Sequence, residues 1–121
     1  MGIEKELSIE SVFDNEGTQL DVKFTAVAAT TGDTTLVAAV TSKKIRVLSF
    51  FGKADVAGLV LFESDTGGTA LTGDINVGIT DGFVLPYNPK GWFETVAGEL
   101  LNLQLTTSAN FDGCLSYCEL E

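Results

Sequence analysis

The stretch Leu101-Asn102-Leu103-Gln104-Leu105-Thr106 alternates strictly between apolar and polar residues. Successive side chains of a β-strand point to opposite faces, so this pattern predicts a strand with its leucines on a core and its polar side chains in solvent. Residues 20–26 and 75–80 alternate in the same way. In residues 20–26 the alternation assigns one set of side chains to the core: Leu20, Val22, Phe24 and Ala26. One-sided alternation is typical of antiparallel sheets.

Turn-type residues separate the apolar runs and indicate how many strands there are; Thr31-Gly32-Asp33 and Asp112-Gly113 are two of these predicted turns. Asp81-Gly82, for example, predicts a two-residue hairpin, because glycine tolerates the positive φ that such turns require. The runs predict about eight strands, at residues 19–29, 34–41, 44–51, 56–63, 69–79, 82–87, 99–106 and 113–120. This number of short strands in one domain predicts an all-β fold, an antiparallel β-sandwich of jelly-roll-like form, and leaves an immunoglobulin-like connectivity open.

Three segments are apolar on both faces or nearly so, at residues 36–40, 45–51 and 56–62. Such segments are either central strands, covered on both sides, or strands whose outer face meets another subunit. Residues 1–18 differ from the rest, because dense charge surrounds their few apolar side chains. We predict a short N-terminal arm at residues 1–18, ordered against something outside the domain, and a β-sandwich domain at residues 19–121. Fraying of the terminus is the alternative.

The composition excludes several classes of partner. Seventeen acidic against seven basic residues give a formal net charge of −10, which argues against a groove that follows a nucleic-acid backbone. No apolar run reaches the roughly 20 residues of a membrane helix, and the first residues lack the apolar run of a signal peptide. We therefore predict a soluble protein, made and kept inside a cell, that binds neither nucleic acid nor membrane.

Four of the seven basic residues fall within eleven positions, and this clustering allows one local basic patch: Lys43, Lys44, Arg46 and Lys53. One interpretation is a solvated strand edge, where lysines discourage unwanted strand pairing. The other is a contact with an acidic neighbour.

The sequence offers little for catalysis or metal binding. It contains no histidine, the commonest general base, and its only thiols are Cys114 and Cys118. Four positions apart in a strand, their Cα atoms lie roughly 13 Å from each other, which is too far for a disulfide, so we predict two buried free thiols. We predict no enzyme activity, no cofactor and no metal site. Carboxylates that could form a catalytic pair are interpreted as surface acids: Glu63, Asp65, Glu94 and Glu99.

Residues 84–95 hold both prolines, the single tryptophan and one of the two tyrosines. Tyr87 and Trp92 could form an exposed aromatic platform for a sugar ring. The alternative, which we favour, is that the prolines fix a crossing between sheets while Trp92 and Phe93 close one end of the core. Adjacent residues of a strand point to opposite faces, so one of these two rings must face outward.

Several of these segments together resemble a small virion protein of tailed bacteriophages: residues 44–48, 67–73, 84–95, 98–103 and 113–121. The resemblance covers about residues 40–120, and its most specific part is the Leu-Pro-Tyr-Asn-Pro…Gly-Trp-Phe-Glu-Thr signature at residues 85–95. It implies a β-sandwich in a capsid decoration (cement) protein, often a trimer, which binds the outer capsid surface and bridges neighbouring capsomers. It implies no catalytic residue.

We therefore predict a structural phage virion protein, most specifically a homotrimeric cement protein that binds the major capsid protein. It would be synthesised in the host cytoplasm and would reside on the capsid surface. The alternative is a carbohydrate-binding or structural module of a phage tail or fibre. The candidate interaction residues are Lys43, Lys44, Arg46, Tyr87 and Trp92.

Overall fold

A computed structural model of the chain describes residues 12–14 and 16–121. Within these residues all regular structure is β, and no helix is present. We number the strands in chain order: β1 (Val12–Phe13), β2 (Gln19–Leu20), β3 (Lys23–Val37), β4 (Lys44–Ala54), β5 (Gly58–Ser64), β6 (Thr69–Ala70), β7 (Ile75–Val77), β8 (Gly82–Leu85), β9 (Phe93–Glu94) and β10 (Leu101–Leu120).

One antiparallel sheet of eight strands contains everything except β1 and β2, which form a small antiparallel pair of their own. β10 is the central strand of the large sheet. One of its edges pairs with β3, and its other edge pairs with β5 over residues 101–106 and with β4 over residues 111–120. β6 and β7 pair with β5, whereas β8 and β9 pair with β4. The β5 side is called the first layer below, and the β4 side the second layer.

The sheet curls where β3 and β10 both bend. Residues 106–109 of β10 stand opposite Thr31 alone, and the backbone φ angles of Gly32 and Thr107 are positive, at 94° and 79°. Strands pass from one layer of a sandwich to the other through bulges of this kind. Phe62 of β5 consequently meets Phe50 of β4, with 5.1 Å between ring centroids, although these strands are not paired. The predicted fold class, an all-β antiparallel sandwich, is confirmed.

The predicted turns at Gly32 and Gly113 are wrong, because both glycines lie inside long strands. The runs at 19–29 and 34–41 belong largely to the single strand β3, and those at 99–106 and 113–120 to β10. Gly32 bends β3 without ending it. Gly113 permits close backbone approach, because a Cβ there would clash with the Phe51 carbonyl oxygen of β4.

The predicted hairpin at Asp81-Gly82 is also wrong. β7 pairs with β5 in the first layer and β8 with β4 in the second, so the segment between them crosses the sandwich. The turn closes earlier, where the Asp81 amide donates to the Gly78 carbonyl at 3.1 Å. Gly82 is needed for a different reason: a Cβ would clash with the Gly52 carbonyl oxygen of β4.

The main core lies between the two layers and is rich in phenylalanine. Phe50 stands at its centre, 5.3 Å from Phe83 and 5.9 Å from Phe111 between ring centroids. The leucines of the 101–106 stretch are buried there, as the alternation predicted. The expected solvent exposure of its polar side chains is wrong for Asn102, which is buried and donates to Glu63. Gly52 makes room for the Phe111 ring, which a Cβ at this position would strike.

A second, smaller core lies on the outer face of the second layer. It consists of Val12, Leu48, Cys118 and Leu120, against which Leu20 and Val22 pack. The pair β1–β2 therefore covers this part of the face, and Val12 is 1% exposed. The described part of the predicted arm, residues 12–14 and 16–18, belongs to this pair; its remaining residues lie outside those described.

The alternation of residues 20–26 is present, but its assignment to the main core is wrong. Leu20 and Val22 pack in the small core of the outer face. Phe24 continues in the same phase, away from the main core, and is 73% exposed, whereas Val27 and Ala29 are buried in the main core. Alternation separates two faces without saying which face another element will cover.

Candidate functional site

The segment 86–92, called the corner below, is held against β4 by backbone hydrogen bonds. The amides of Asn88 and Trp92 donate to the carbonyls of Leu48 and Val47, at 2.9 and 2.8 Å. Between them the chain makes a tight turn, in which the Gly91 amide donates to the Asn88 carbonyl at 2.8 Å. Gly91 has φ of 83°, a conformation that glycine adopts without steric cost. The corner is thus held at the edge of the second layer. The predicted crossing between sheets at this segment is wrong, because β8 before it and β9 after it both pair with β4.

The two adjacent aromatic rings of this region point in different directions. The Phe93 ring packs into the main core, 5.0 Å from the ring of Phe62. Trp92 is 43% exposed, and its indole Nε1 donates to the Pro86 carbonyl at 2.8 Å. The pleat argument therefore correctly predicts that one ring faces outward, and the outward one is Trp92. Tyr87 is 40% exposed in the same segment.

Trp92 borders a cavity of about 420 Å³ between the two layers. Its lining is almost wholly apolar: Phe62, Leu71, Thr72, Ile75, Phe83, Val84, Leu85, Trp92 and Phe93. The two polar groups of these side chains are already engaged. Thr72 Oγ1 donates to the Gly73 carbonyl at 2.9 Å and accepts from the Phe62 amide at 3.3 Å, while the Trp92 indole is bound to Pro86. The cavity therefore suits an apolar occupant.

Arg46 lies directly beside the corner. Its aliphatic stem packs under Gly91, where a Cβ would strike it. Its Nε donates to Glu94 Oε2 at 2.7 Å across the β4–β9 pair, which fixes the guanidinium at the border of the corner. The corner and Arg46 together are called the corner surface below.

The four basic residues do not form a single patch: Lys44 lies two positions from Arg46 on the same face of β4, but Lys53 lies far from both. Lys43 lies 3.9 Å from a carboxylate oxygen of Glu121, and Lys44 stands opposite Leu120 in the sheet. Lys53 is near the other end of β4, opposite Asp112. Of the five predicted interaction residues, the structure brings together Arg46, Tyr87 and Trp92.

The carboxylates considered for catalysis serve separate structural contacts. Glu63 is buried, so its interpretation as a surface acid is wrong, and it accepts from Asn102 Nδ2 at 2.9 Å. Glu99 accepts from Ser64 Oγ at 2.6 Å. Glu94 is bound to Arg46, and Asp65 is exposed. Within residues 12–14 and 16–121, no cluster of three or more His, Cys, Asp or Glu side chains is arranged to hold a metal ion.

Both thiols are free, as predicted, but their surroundings differ. Cys118 is completely buried in the small core, and this burial raises the pKa of its thiol against the opposing influence of Arg46. Cys114 is only half-buried, on the outer face of the second layer.

Sequence reasoning missed the exposed apolar part of this outer face. Phe24, Phe51 and Val84 are 73%, 54% and 68% exposed on strands β3, β4 and β8 of the same sheet. The signal was the two-faced apolar character of residues 45–51, one interpretation of which was an outer face in contact with another subunit. The face itself could be located only from the strand register.

Comparisons with protein-family models, with curated proteins and with solved structures found no match to this chain. Among the described residues no helix has the length and apolarity needed to cross a membrane.

Proposed function

We propose that this protein is a structural component of a phage virion, a decoration protein that binds the major capsid protein on the outer capsid surface through its corner surface. The observation that carries the proposal is the apolar cavity beside the half-exposed Trp92. It offers a socket for an apolar side chain of the capsid protein. The resemblance of residues 40–120 to small virion proteins supplies the setting.

The composition of the corner surface supports a protein partner. Tryptophan, tyrosine and arginine are the residue types that contribute most binding energy in protein interfaces, usually around a desolvated pocket. Trp92 lines such a pocket, Tyr87 lies in the same segment, and Arg46 packs against Gly91 of that segment. Backbone hydrogen bonds fix the segment that carries the two aromatic rings. A preformed surface loses little conformational entropy on binding.

A carbohydrate ligand, the alternative function, is less well supported. Binding sites fix the orientation of small ligands through a few precisely placed polar groups. In the cavity, the Thr72 hydroxyl and the Trp92 indole already make hydrogen bonds within the protein. Glycan-array binding that Trp92→Ala abolishes, in a variant that remains folded, would favour the carbohydrate function instead.

The direct test is co-sedimentation of the purified protein with expanded capsids of the phage that encodes it. We expect wild-type protein to bind and Trp92→Ala to bind at least about tenfold more weakly, because hot-spot tryptophans contribute about 2 kcal/mol or more. Val56→Ala is the matched control, because Val56 is similarly exposed, at 42%, and lies outside the corner. Circular dichroism confirms that both variants fold. Failure of wild-type protein to bind capsids, or equal binding by Trp92→Ala, contradicts the proposal.

The predicted homotrimer belongs to the same proposal. Three copies would place three corner surfaces around one symmetry axis and so bridge neighbouring capsomers. Analytical ultracentrifugation at increasing concentration measures the number of chains in solution, and electron microscopy of decorated capsids locates them on the shell.

A further inference from the structure

A row of apolar side chains crosses four neighbouring strands on the uncovered part of the outer face. The register places Ala26 of β3 beside Cys114 of β10, Cys114 beside Phe51 of β4, and Phe51 beside Val84 of β8. We propose that this row, called the outer row below, is a two-fold contact surface between two copies of this chain.

The outer row is open to solvent, whereas the same face is closed farther along. Phe51 and Val84 are 54% and 68% exposed, and the neighbouring Phe24 is 73% exposed. The small core under β1–β2 shows what this face does when an element covers it: Leu48 and Cys118 are completely buried there. Large apolar side chains grouped on an exposed sheet face are typical of an interaction surface.

The order of side chains in the outer row points to a second copy as the occupant. A two-fold axis that runs parallel to the strands, above the midline between β10 and β4, would bring the sheets of two copies face to face, with β10 of each copy over β4 of the other. This axis sets Cys114 against Phe51 of the second copy, and Ala26 against Val84 of the second copy. Every contact then joins a smaller side chain to a larger one, and each occurs twice, as an isologous interface requires.

The next row of the same face agrees with the same axis through its charges. Here the register aligns Ala28, Asp112, Lys53 and Gly82, all of them exposed. The axis sets Asp112 against Lys53 of the second copy, and Lys53 against Asp112 of the second copy. Neither residue takes part in the ion pairs found among residues 12–14 and 16–121, which join Lys23 to Glu119, Lys43 to Glu121 and Arg46 to Glu94. Shape and charge are therefore self-complementary about one axis.

The size of the surface sets the expected strength. Four strands about 4.8 Å apart and a length of about five residues give roughly 300 Å² per copy. A standard stable interface buries about 800 Å² per partner. We therefore expect a weak dimer, populated at high protein concentration or when other contacts already hold copies close together.

This inference goes beyond the proposed function and does not depend on it. A two-fold contact joins copies in even numbers: a chain with no other self-contact forms dimers, and a trimer built through other surfaces forms hexamers. Capsid binding can fail while the chain still associates with itself, and self-association can fail while the chain still binds capsids, so the two tests are distinguishable.

The test is sedimentation equilibrium of the full chain over a wide concentration range. For wild-type protein we expect association into an even number of chains. Lys53→Asp and Asp112→Lys should each weaken this association about tenfold or more, because each sets like charges against each other twice. The double variant Lys53→Asp/Asp112→Lys should recover wild-type association, because the opposite charges then face each other again.

Net charge alone makes a different prediction, which gives the experiment its control. Starting from −10, Lys53→Asp makes the chain more negative by two and Asp112→Lys makes it less negative by two. General repulsion would therefore weaken association in the first variant and strengthen it in the second. Asp74→Lys, at an exposed aspartate outside both the outer row and the corner surface, matches the charge change of Asp112→Lys and should leave association unchanged.

Several results would overturn the proposal: a monomer at the highest concentration, a trimer with no further association, stronger association of Asp112→Lys, or no recovery in the double variant. Melting temperatures of all variants establish that the folded chain is being compared.

Discussion

The outer face of the second layer has two parts, one covered by the β1–β2 pair and the other exposed to solvent. Around Leu48, Cys118 and Leu120 the face is covered by β1–β2, and these side chains are buried. Around Phe51 and Val84 the same sheet face also carries large apolar side chains, yet no other element among the described residues covers it. The comparison shows that apolar side chains on a strand face indicate only that another surface covers this face. Whether the chain covers it or a partner does depends on distant segments.

The largest expected difference between the two parts is in stability. Leu48→Ala in the covered part should lower the free energy of unfolding by about 2–5 kcal/mol, because it leaves a cavity in a closed core. Val84→Ala in the uncovered part should change it by no more than about 0.5 kcal/mol, as exposed substitutions generally do. Urea denaturation of both variants at low protein concentration measures the difference. Equal losses would mean that the uncovered part is also closed in the monomer.

The two faces of β4 give a sharper form of the same comparison. Gly52 points into the main core, between the outward-facing Phe51 and Lys53. Gly52→Ala should destabilise the protein by about 1–3 kcal/mol, because the new Cβ overpacks against Phe111. Gly73→Ala is the control, because a Cβ there meets nothing within 4 Å. If both variants melt at the same temperature, the packing of Phe111 over Gly52 is incorrect.

The reactivity of the two thiols compares the two parts of the face directly, because Cys118 lies in the covered part and Cys114 in the uncovered part. In dilute native protein, iodoacetamide should modify Cys114 at least about tenfold faster than Cys118. Cys118 is buried, and burial raises its thiol pKa, so its reactive thiolate is scarcer at neutral pH. Mass spectrometry of tryptic peptides measures both rates, and unfolding in urea should remove most of the difference. At high concentration the proposed self-contact should slow the labelling of Cys114 alone.

The smallest effect on stability is expected from an ion pair between β3 and β10. Lys23 of β3 donates to Glu119 of β10 at 2.9 Å, and this hydrogen bond raises the pKa of the Lys23 ammonium above its ordinary value of 10.5. A raised lysine pKa stabilises the fold below 10.5, and that contribution is lost as the pH rises through the folded-state pKa. Wild-type protein should therefore be slightly more stable than Lys23→Met at neutral pH, and the difference should vanish in strongly alkaline solution. A constant difference across this pH range would exclude the ion pair as its source.

Local sequence pattern was sufficient for the class of fold and insufficient for its connections. The alternation at 101–106 correctly placed three leucines in the core, and the cysteine spacing correctly excluded a disulfide. Gly32 and Gly113 were wrongly interpreted as turns. Gly32 has a positive φ, with which a glycine can end a strand or bend it, and the partner strand about 70 residues away decides which. Gly113 instead permits close backbone approach to β4.

The candidate site was only partly predictable, because local sequence pattern does not show which distant segments meet. Unusual composition drew attention to Tyr87 and Trp92, and the pleat required one ring to face outward. The cavity beside Trp92 needs Leu71 and Ile75 from the opposite layer, which no local pattern brings near it. The outer row likewise combines residues from four strands, and only the register of β10 aligns them.

The position of β10 in the chain has a consequence for how the molecule forms. This strand follows all the others in sequence, yet it supplies the central partner of β3, β4 and β5. Until it has been synthesised neither layer can close, and the earlier strands present unpaired edges, which are templates for aggregation. Pairings between such distant segments also form slowly, on the millisecond-to-second scale of non-local β-proteins. The strong negative charge of the chain opposes such aggregation during the interval before β10 is synthesised.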